Sequence, residues 1–141
     1  MTSTNFAAGK AGKIIYWIAT IWLSLGMLST GIVQLFNVKK EIDFIVELGY
    51  PAYFITILGA WKILGVAAVL SPKFPLLKEW AYAGFFFSMT GAIFSHIAVG
   101  NSLVEILPPM LLLTLTLVSW YLFPYRLNLA NANRKFIPTV Q

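Results

Sequence analysis

The sequence predicts an all-α integral membrane protein, a four-helix bundle with a short interfacial helix between spans one and two. Three observations carry that prediction. Of the 141 residues, 59% are hydrophobic and only 11% are charged, and the mean hydropathy is +0.79. A soluble domain is about half apolar and about a quarter charged, so this chain cannot cover a water-facing surface. Its apolar content equally excludes disorder. Secondly, four stretches approach or exceed the ~20 helical residues that cross a bilayer core of about 30 Å. Thirdly, those stretches are continuously apolar. A membrane barrel would alternate in segments of ~10 residues, and only helices or closed barrels satisfy the backbone in hydrocarbon.

The first span runs from Ile14 to Phe36 without a charge. Lys10 and Lys13 precede it, as basic residues precede a signal peptide. The run is longer than the ~7–15 residues of a secretory core and no A-x-A-like site follows, so it reads as an uncleaved anchor. The segment Glu41-Ile-Asp-Phe-Ile-Val-Glu-Leu48 then puts Ile42, Ile45 and Val46 on one helical face, with Glu41 and Glu47 turned away. That pattern suits a short helix lying in the outer interface. Gly49 and Pro51 read as a helix stop followed by a helix start.

The second span, Tyr53 to Leu70, contains one charge, Lys62. The turn Ser71-Pro-Lys-Phe-Pro75 leads to the third span, Trp80 to Val99, and Gly100-Asn-Ser102 links it to the fourth, Ile106 to Phe123. Pro108 and Pro109 are expected in the first turn of that span, where missing N–H groups do least harm, and Pro124 ends it. Residues 124–141 are expected to be a partly ordered cytoplasmic tail whose basic residues meet anionic lipid heads. The whole of 1–141 reads as a single domain.

Four spans put the N-terminus, the second loop and the C-terminus on one side. That side carries Lys10, Lys13, Lys73, Lys78, Arg126, Arg134 and Lys135, whereas Lys39 and Lys40 opposite are offset by Glu41, Asp43, Glu47 and Glu105. The positive-inside rule therefore places both termini in the cytoplasm. The net charge of +5 is explained by topology, so no nucleic-acid partner is implied. The chain has no Cys, which excludes disulfides, thiol redox chemistry, iron–sulfur clusters and thiolate zinc sites.

Lys62 is the most informative residue. A mid-helix Lys costs about 2.5–3.5 kcal/mol on an insertion scale. The nine Ile, Leu, Val and Phe residues of its span return roughly 4 kcal/mol together. The helix still inserts, with little margin, and such a Lys is expected to face protein or water rather than snorkel. Gly59 and Gly65 flank it on the same face, forming a groove for another helix. In the third span Ala81, Gly84, Ser88, Gly91 and Ser95 recur at helical spacing, which packing alone explains.

His96, the one histidine, ends that small-residue face. It is suited to proton relay or to hydrogen-bonding a ligand carbonyl, and equally to a structural bond at a helix end. A metal site is not expected, because no second His or Cys exists to complete it. By depth, Gln34, His96 and Glu105 gather near the outer ends with Glu47 above them, and Ser24, Lys62, Ser88 and Thr114 lie near mid-membrane. Glu79 reads as an interfacial charge beside Lys78 and Trp80, over ~10 Å along the axis from Lys62, so no carboxylate is expected at the depth of Lys62. The Trp and Tyr residues read as interface anchors, except Trp61, which sits deep beside Lys62.

Leu48-Gly-Tyr-Pro-Ala52 and Leu58-Gly-Ala-Trp-Lys-Ile-Leu-Gly65 resemble the DoxX-like family of small four-helix membrane proteins. So do Lys78-Glu-Trp-Ala-Tyr-Ala-Gly-Phe-Phe-Phe87 and Thr90-Gly-Ala-Ile-Phe-Ser-His-Ile-Ala-Val-Gly100. The similarity runs from Ile14 to Pro124. It implies a bundle in a bacterial inner membrane and no single activity. The family's namesake is described as a small subunit of a quinone-linked thiosulfate oxidoreductase, and relatives as respiratory or stress-associated accessory proteins. Eukaryotic cousins are described as assembly chaperones or cargo receptors. Chemistry that depends on cysteines in proteins of similar helical layout cannot transfer to a chain without them.

Three functions follow as expectations. The first is an accessory, non-catalytic subunit of a quinone-linked redox system, with a polar pocket between spans two and three built from Lys62, His96, Ser88, Gln34 and Trp61. The second is an assembly or chaperone-type partner that docks other membrane helices, or its own copies, on Gly59, Gly65, Gly84 and Gly91. The third is a small transporter of an anionic or lipid-soluble compound. A mid-membrane cation repels cationic substrates. No nucleophile–base pair, haem-ligand pair or flavin or dinucleotide fingerprint is visible, so the chain is expected to catalyse nothing alone. The bilayer is its first partner, and a quinone its candidate ligand.

Overall fold

A computed structural model describes residues 9–124 and Asn128. The tail expected over 124–141 lies, apart from its first residue and Asn128, outside the described residues. Five helices follow one another and no strand occurs among the described residues: α1 Lys10–Leu35, α2 Lys39–Glu47, α3 Phe54–Leu70, α4 Pro75–Val99 and α5 Leu103–Tyr121. Three of them, α1, α4 and α5, are long and apolar enough to cross a membrane. The fourth apolar helix, α3, has 17 residues, about 26 Å at ~1.5 Å each, because Ala52 and Tyr53 remain in a turn.

The apolar runs understate the other helices. α1 begins at Lys10 and α4 at Pro75, since a flanking charge does not interrupt backbone hydrogen bonding. Pro75 takes the first helical position, where a missing N–H costs nothing. α5 begins at Leu103, so Pro108 and Pro109 lie inside the helix rather than in its first turn. The start is moved by Glu105, whose Oε2 accepts from the Ser102 N–H at 3.0 Å and from Ser102 Oγ at 3.4 Å. This is the reciprocal arrangement of a capping box. Gly100, at φ 80°, ends α4 in the left-handed conformation.

α1 packs on α3 and α5, and α4 packs on the same two, so the long helices close a cycle. The α1–α3 crossing is the tightest. A Cβ on Gly59 would stand 2.7 Å from both Gly31 O and Leu35 N, so the two backbones touch. Opposite, Leu23, Met27, Val66, Val69, Tyr82, Phe85 and Met89 form the main buried cluster. A chain of hydroxyls crosses it at one end: Tyr82 OH donates to Ser119 Oγ (2.7 Å), Ser119 to Thr20 Oγ1 (2.6 Å), and Thr20 to Tyr16 O (2.6 Å). Each hydroxyl has one proton to give, so the terminal carbonyl sets the direction. Trp17, Trp22, Leu25, Phe87 and Phe94 are exposed on the outside, the distribution of a chain whose solvent is hydrocarbon.

α2 lies against α1 and α3, and its inward face differs from the one expected. Ile45 is buried and Glu41, Phe44 and Leu48 are half-buried, while Val46 is exposed. The face is therefore i, i+3, i+4, i+7 from Glu41, which brings a carboxylate inward instead of turning it away.

Candidate ligand-binding cavity

Between α3 and α4, and flanked by α2, lies a cavity of about 210 Å³. α1 contributes Gln34, α2 Glu41 and Phe44, α3 Lys62, and α4 Ser88, Gly91 and His96. From Phe54 to Lys62 on α3, eight residues give a depth of roughly 12 Å. Four residues expected at a pocket, Lys62, His96, Ser88 and Gln34, thus meet on one cavity.

Lys62 is 8% exposed. Its Nζ donates to Thr30 Oγ1 at 3.4 Å, a long bond to a hydroxyl that itself donates to Gly26 O. An ammonium has three donors, so most of its capacity remains for what occupies the cavity. Glu41 lines the same space and acts on the ammonium through its charge. The carboxylate nearest to this cavity's cation in the lining is thus on α2 rather than on a spanning helix.

His96 is buried. Its Nδ1 accepts from Asn101 Nδ2 at 3.0 Å, which puts the hydrogen of the neutral ring on Nε2, and its ring lies 5.1 Å from that of Phe44. Gln34 is 8% exposed and its Oε1 has no hydrogen-bond partner. Tyr50 OH donates to Ser95 Oγ at 2.7 Å, and Ser95 donates onward to Gly91 O. This pair ties the α2–α3 link to α4 beside the cavity.

A second cavity of about 340 Å³ runs along the outside of the α3–α4 seam, with Trp61, Leu64, Leu77, Trp80 and Gly84 among its walls. Trp61 belongs here, 67% exposed, and not beside the polar groups. Leu58, Lys62 and Ser88 line both cavities.

The glycines divide accordingly. Gly59 touches α1, and Gly65 takes the Phe85 ring, 2.5 Å from where its Cβ would be. Gly84 and Gly91, expected to pack against a helix, have open space at that position and instead widen the two cavities. Glu105 and Glu47, read from depth as gathering with His96, do not line the cavity: Glu105 caps α5 and Glu47 is exposed. Glu79 accepts from Trp120 Nε1 at 2.7 Å and so joins α4 to α5, while Lys78 is buried with its Nζ 5.0 Å from the Phe123 ring centroid. Among the described residues no three His, Asp or Glu side chains converge on a metal position.

Glu41, Thr30, Phe44 and Tyr50 were not singled out by sequence. The signal for Glu41 and Phe44 was the heptad-like face they share with Ile45 and Leu48. Thr30 and Tyr50 left no local mark.

Long apolar helices and an apolar exterior define a membrane protein. The chain belongs to the DoxX-like family, whose model matches residues 18–119. No curated protein and no solved structure matches it.

Proposed function

We propose that this is a four-span protein of the bacterial inner membrane that holds a lipid-soluble ligand at Lys62, as a non-catalytic accessory subunit of a quinone-linked redox system. The single observation that carries the reading is a buried ammonium, with one long bond to the protein, on the wall shared by two cavities of largely apolar lining. A ligand with a polar head and a hydrophobic tail matches that pairing, since the head satisfies Lys62 and the tail follows the seam toward lipid.

The 17 residues of α3 fall at the short end of the ~17–25 that span a bilayer, and its place in the helix cycle supports it as the fourth span. α2 then lies in the outer interface. Lys10, Lys13, Lys73 and Lys78 at the opposite end favour cytoplasmic termini.

The test is purification in mild detergent from native membranes, with mass spectrometry of what travels with the protein, repeated with Lys62→Met. A quinone or an oxidoreductase chain recovered with the wild type and lost with Lys62→Met supports the reading. Equal recovery from both would remove Lys62 from the site. A second reading, docking of another membrane helix along the seam, is favoured by the open space at Gly84 and would instead yield a stoichiometric membrane protein.

A further inference from the structure

A third cavity, of about 320 Å³, occupies the α4–α5 seam, apart from Lys62. Tyr82, Phe86 and Phe87 of α4 and Leu117 and Trp120 of α5 supply most of its wall, and Glu79 joins them from the second turn of α4. We infer that this seam holds a phospholipid of the bilayer whose head carries a primary ammonium, bound at Glu79 with one acyl chain along the groove. The inference goes beyond the reading at Lys62 and does not rest on it.

Glu79 Oε2 accepts from Trp120 Nε1 at 2.7 Å. The bond joins the two walls, so the carboxylate is fixed at the seam itself. Among the described residues, Glu79, Tyr82 and Trp120 are the lining side chains that carry polar atoms. The Tyr82 hydroxyl is buried on Ser119, and the Trp120 N–H is given to Glu79. The carboxylate of the half-buried Glu79 is therefore the polar group that the groove presents. One N–H takes one of the about four acceptor positions of a carboxylate. Lys78, next in sequence, carries its Nζ to the Phe123 ring, 5.0 Å from the centroid. The remaining acceptor capacity of Glu79, set against apolar walls, calls for a cationic donor.

Depth identifies the rest of the ligand. Phe87 is the middle residue of α4, Pro75–Val99, so the wall from Glu79 to Phe87 descends from near the helix end to mid-membrane. Those eight residue steps cover ~12 Å, close to the ~15 Å of hydrocarbon in one leaflet. A phospholipid has this layout, with its head at the boundary and its chain ending at the midplane. A primary ammonium brings both the charge and three N–H donors. A choline head brings the charge without the donors. A phosphoglycerol head brings hydroxyls with a net negative charge, which the carboxylate repels.

The experiment is native mass spectrometry of the full chain in neutral detergent, titrated with four lipids of matched acyl chains. These are phosphatidylethanolamine, its N,N-dimethyl derivative, phosphatidylcholine and phosphatidylglycerol. The expected result is that phosphatidylethanolamine binds at least about tenfold more tightly than phosphatidylcholine, with the dimethyl lipid between them. Glu79→Gln keeps an oxygen for the Trp120 N–H and removes the charge. It should lower phosphatidylethanolamine to the choline value and leave phosphatidylcholine unchanged. Lys62→Met should alter neither, and a loss there would move the lipid from this seam to Lys62. Equal affinity for the ethanolamine and choline lipids overturns the inference, as does tightest binding of phosphatidylglycerol or binding of none. An ethanolamine preference that persists in Glu79→Gln overturns the assignment to this seam. The wild-type comparison among the four lipids decides the head even where a variant fails to fold.

Discussion

Glu41 of α2 and Lys62 of α3 line one cavity, with the carboxylate acting on the ammonium from outside the spanning helices. An isolated charge in a low-dielectric interior is costly, and a counter-charge reduces that cost. The pair is therefore expected to be coupled. In a double-mutant cycle, Glu41→Gln should destabilise the wild type by at least ~0.5 kcal/mol more than it destabilises Lys62→Met. Lys62→Met alone should insert as well as the wild type or better. Unfolding in micelles measures the cycle, and strict additivity would mean that Glu41 and Lys62 do not sense each other.

Two glycines on neighbouring helices should respond in opposite ways. Gly59→Ala drives a methyl to within 2.7 Å of backbone atoms Gly31 O and Leu35 N, and overpacking of this kind costs about 1–3 kcal/mol. Gly91→Ala meets open space and gains up to ~1 kcal/mol of helix propensity. Its methyl narrows the polar chamber, so ligand affinity should fall while the unfolding temperature holds or rises. Thermal scans paired with titrations separate the two; a Gly91→Ala protein that loses stability would show that a packing surface does occupy that face.

Most helices were legible because hydrocarbon demands a continuous apolar run, and that demand is written residue by residue. Boundaries were less so. Lys10, Lys78 and Glu105 each sit inside or beside a helix that extends past its apolar stretch, because helix ends answer to capping and proline position rather than to hydropathy. The chamber was legible through Lys62, Ser88 and His96, whose polarity is anomalous in an apolar helix. Glu41 was not, since a charge on a short polar segment is unremarkable until the fold tilts that segment over the α3–α4 seam. Gly84 and Gly91 illustrate the remaining gap, because a small residue permits close packing and empty space alike, and only the position of the neighbouring helix decides between them.

Glu105 offers a control that separates helix capping from the chamber. Its carboxylate bonds the Ser102 N–H and hydroxyl and is exposed. Glu105→Ala should cost about 0.5–1 kcal/mol through loss of the capping box and leave ligand affinity unchanged. A drop in affinity equal to that of Lys62→Met would place Glu105 among the cavity groups.

The hydroxyl chain at the opposite end makes the last prediction. Tyr82, Ser119 and Thr20 come from α4, α5 and α1, and all three are buried. Tyr82→Phe removes the first donor yet leaves Ser119 still bonded to Thr20, so the loss is one neutral bond, about 1 kcal/mol. Ser119→Ala removes the middle of the chain. It takes from the buried Tyr82 hydroxyl its 2.7 Å partner, while Thr20 keeps its bond to Tyr16 O. Ser119→Ala breaks two bonds of the chain, to Tyr82 and to Thr20, and a buried hydroxyl that loses its partner costs about 1–3 kcal/mol, so it should be the more damaging change although it deletes the smaller group. The double variant Tyr82→Phe/Ser119→Ala should then be less stable than the wild type by less than the sum of the two single changes, because both remove the same Tyr82–Ser119 bond. Unfolding of the three variants in one detergent gives the order, and a double variant that is less stable by the sum of the singles would show that the two hydroxyls act independently.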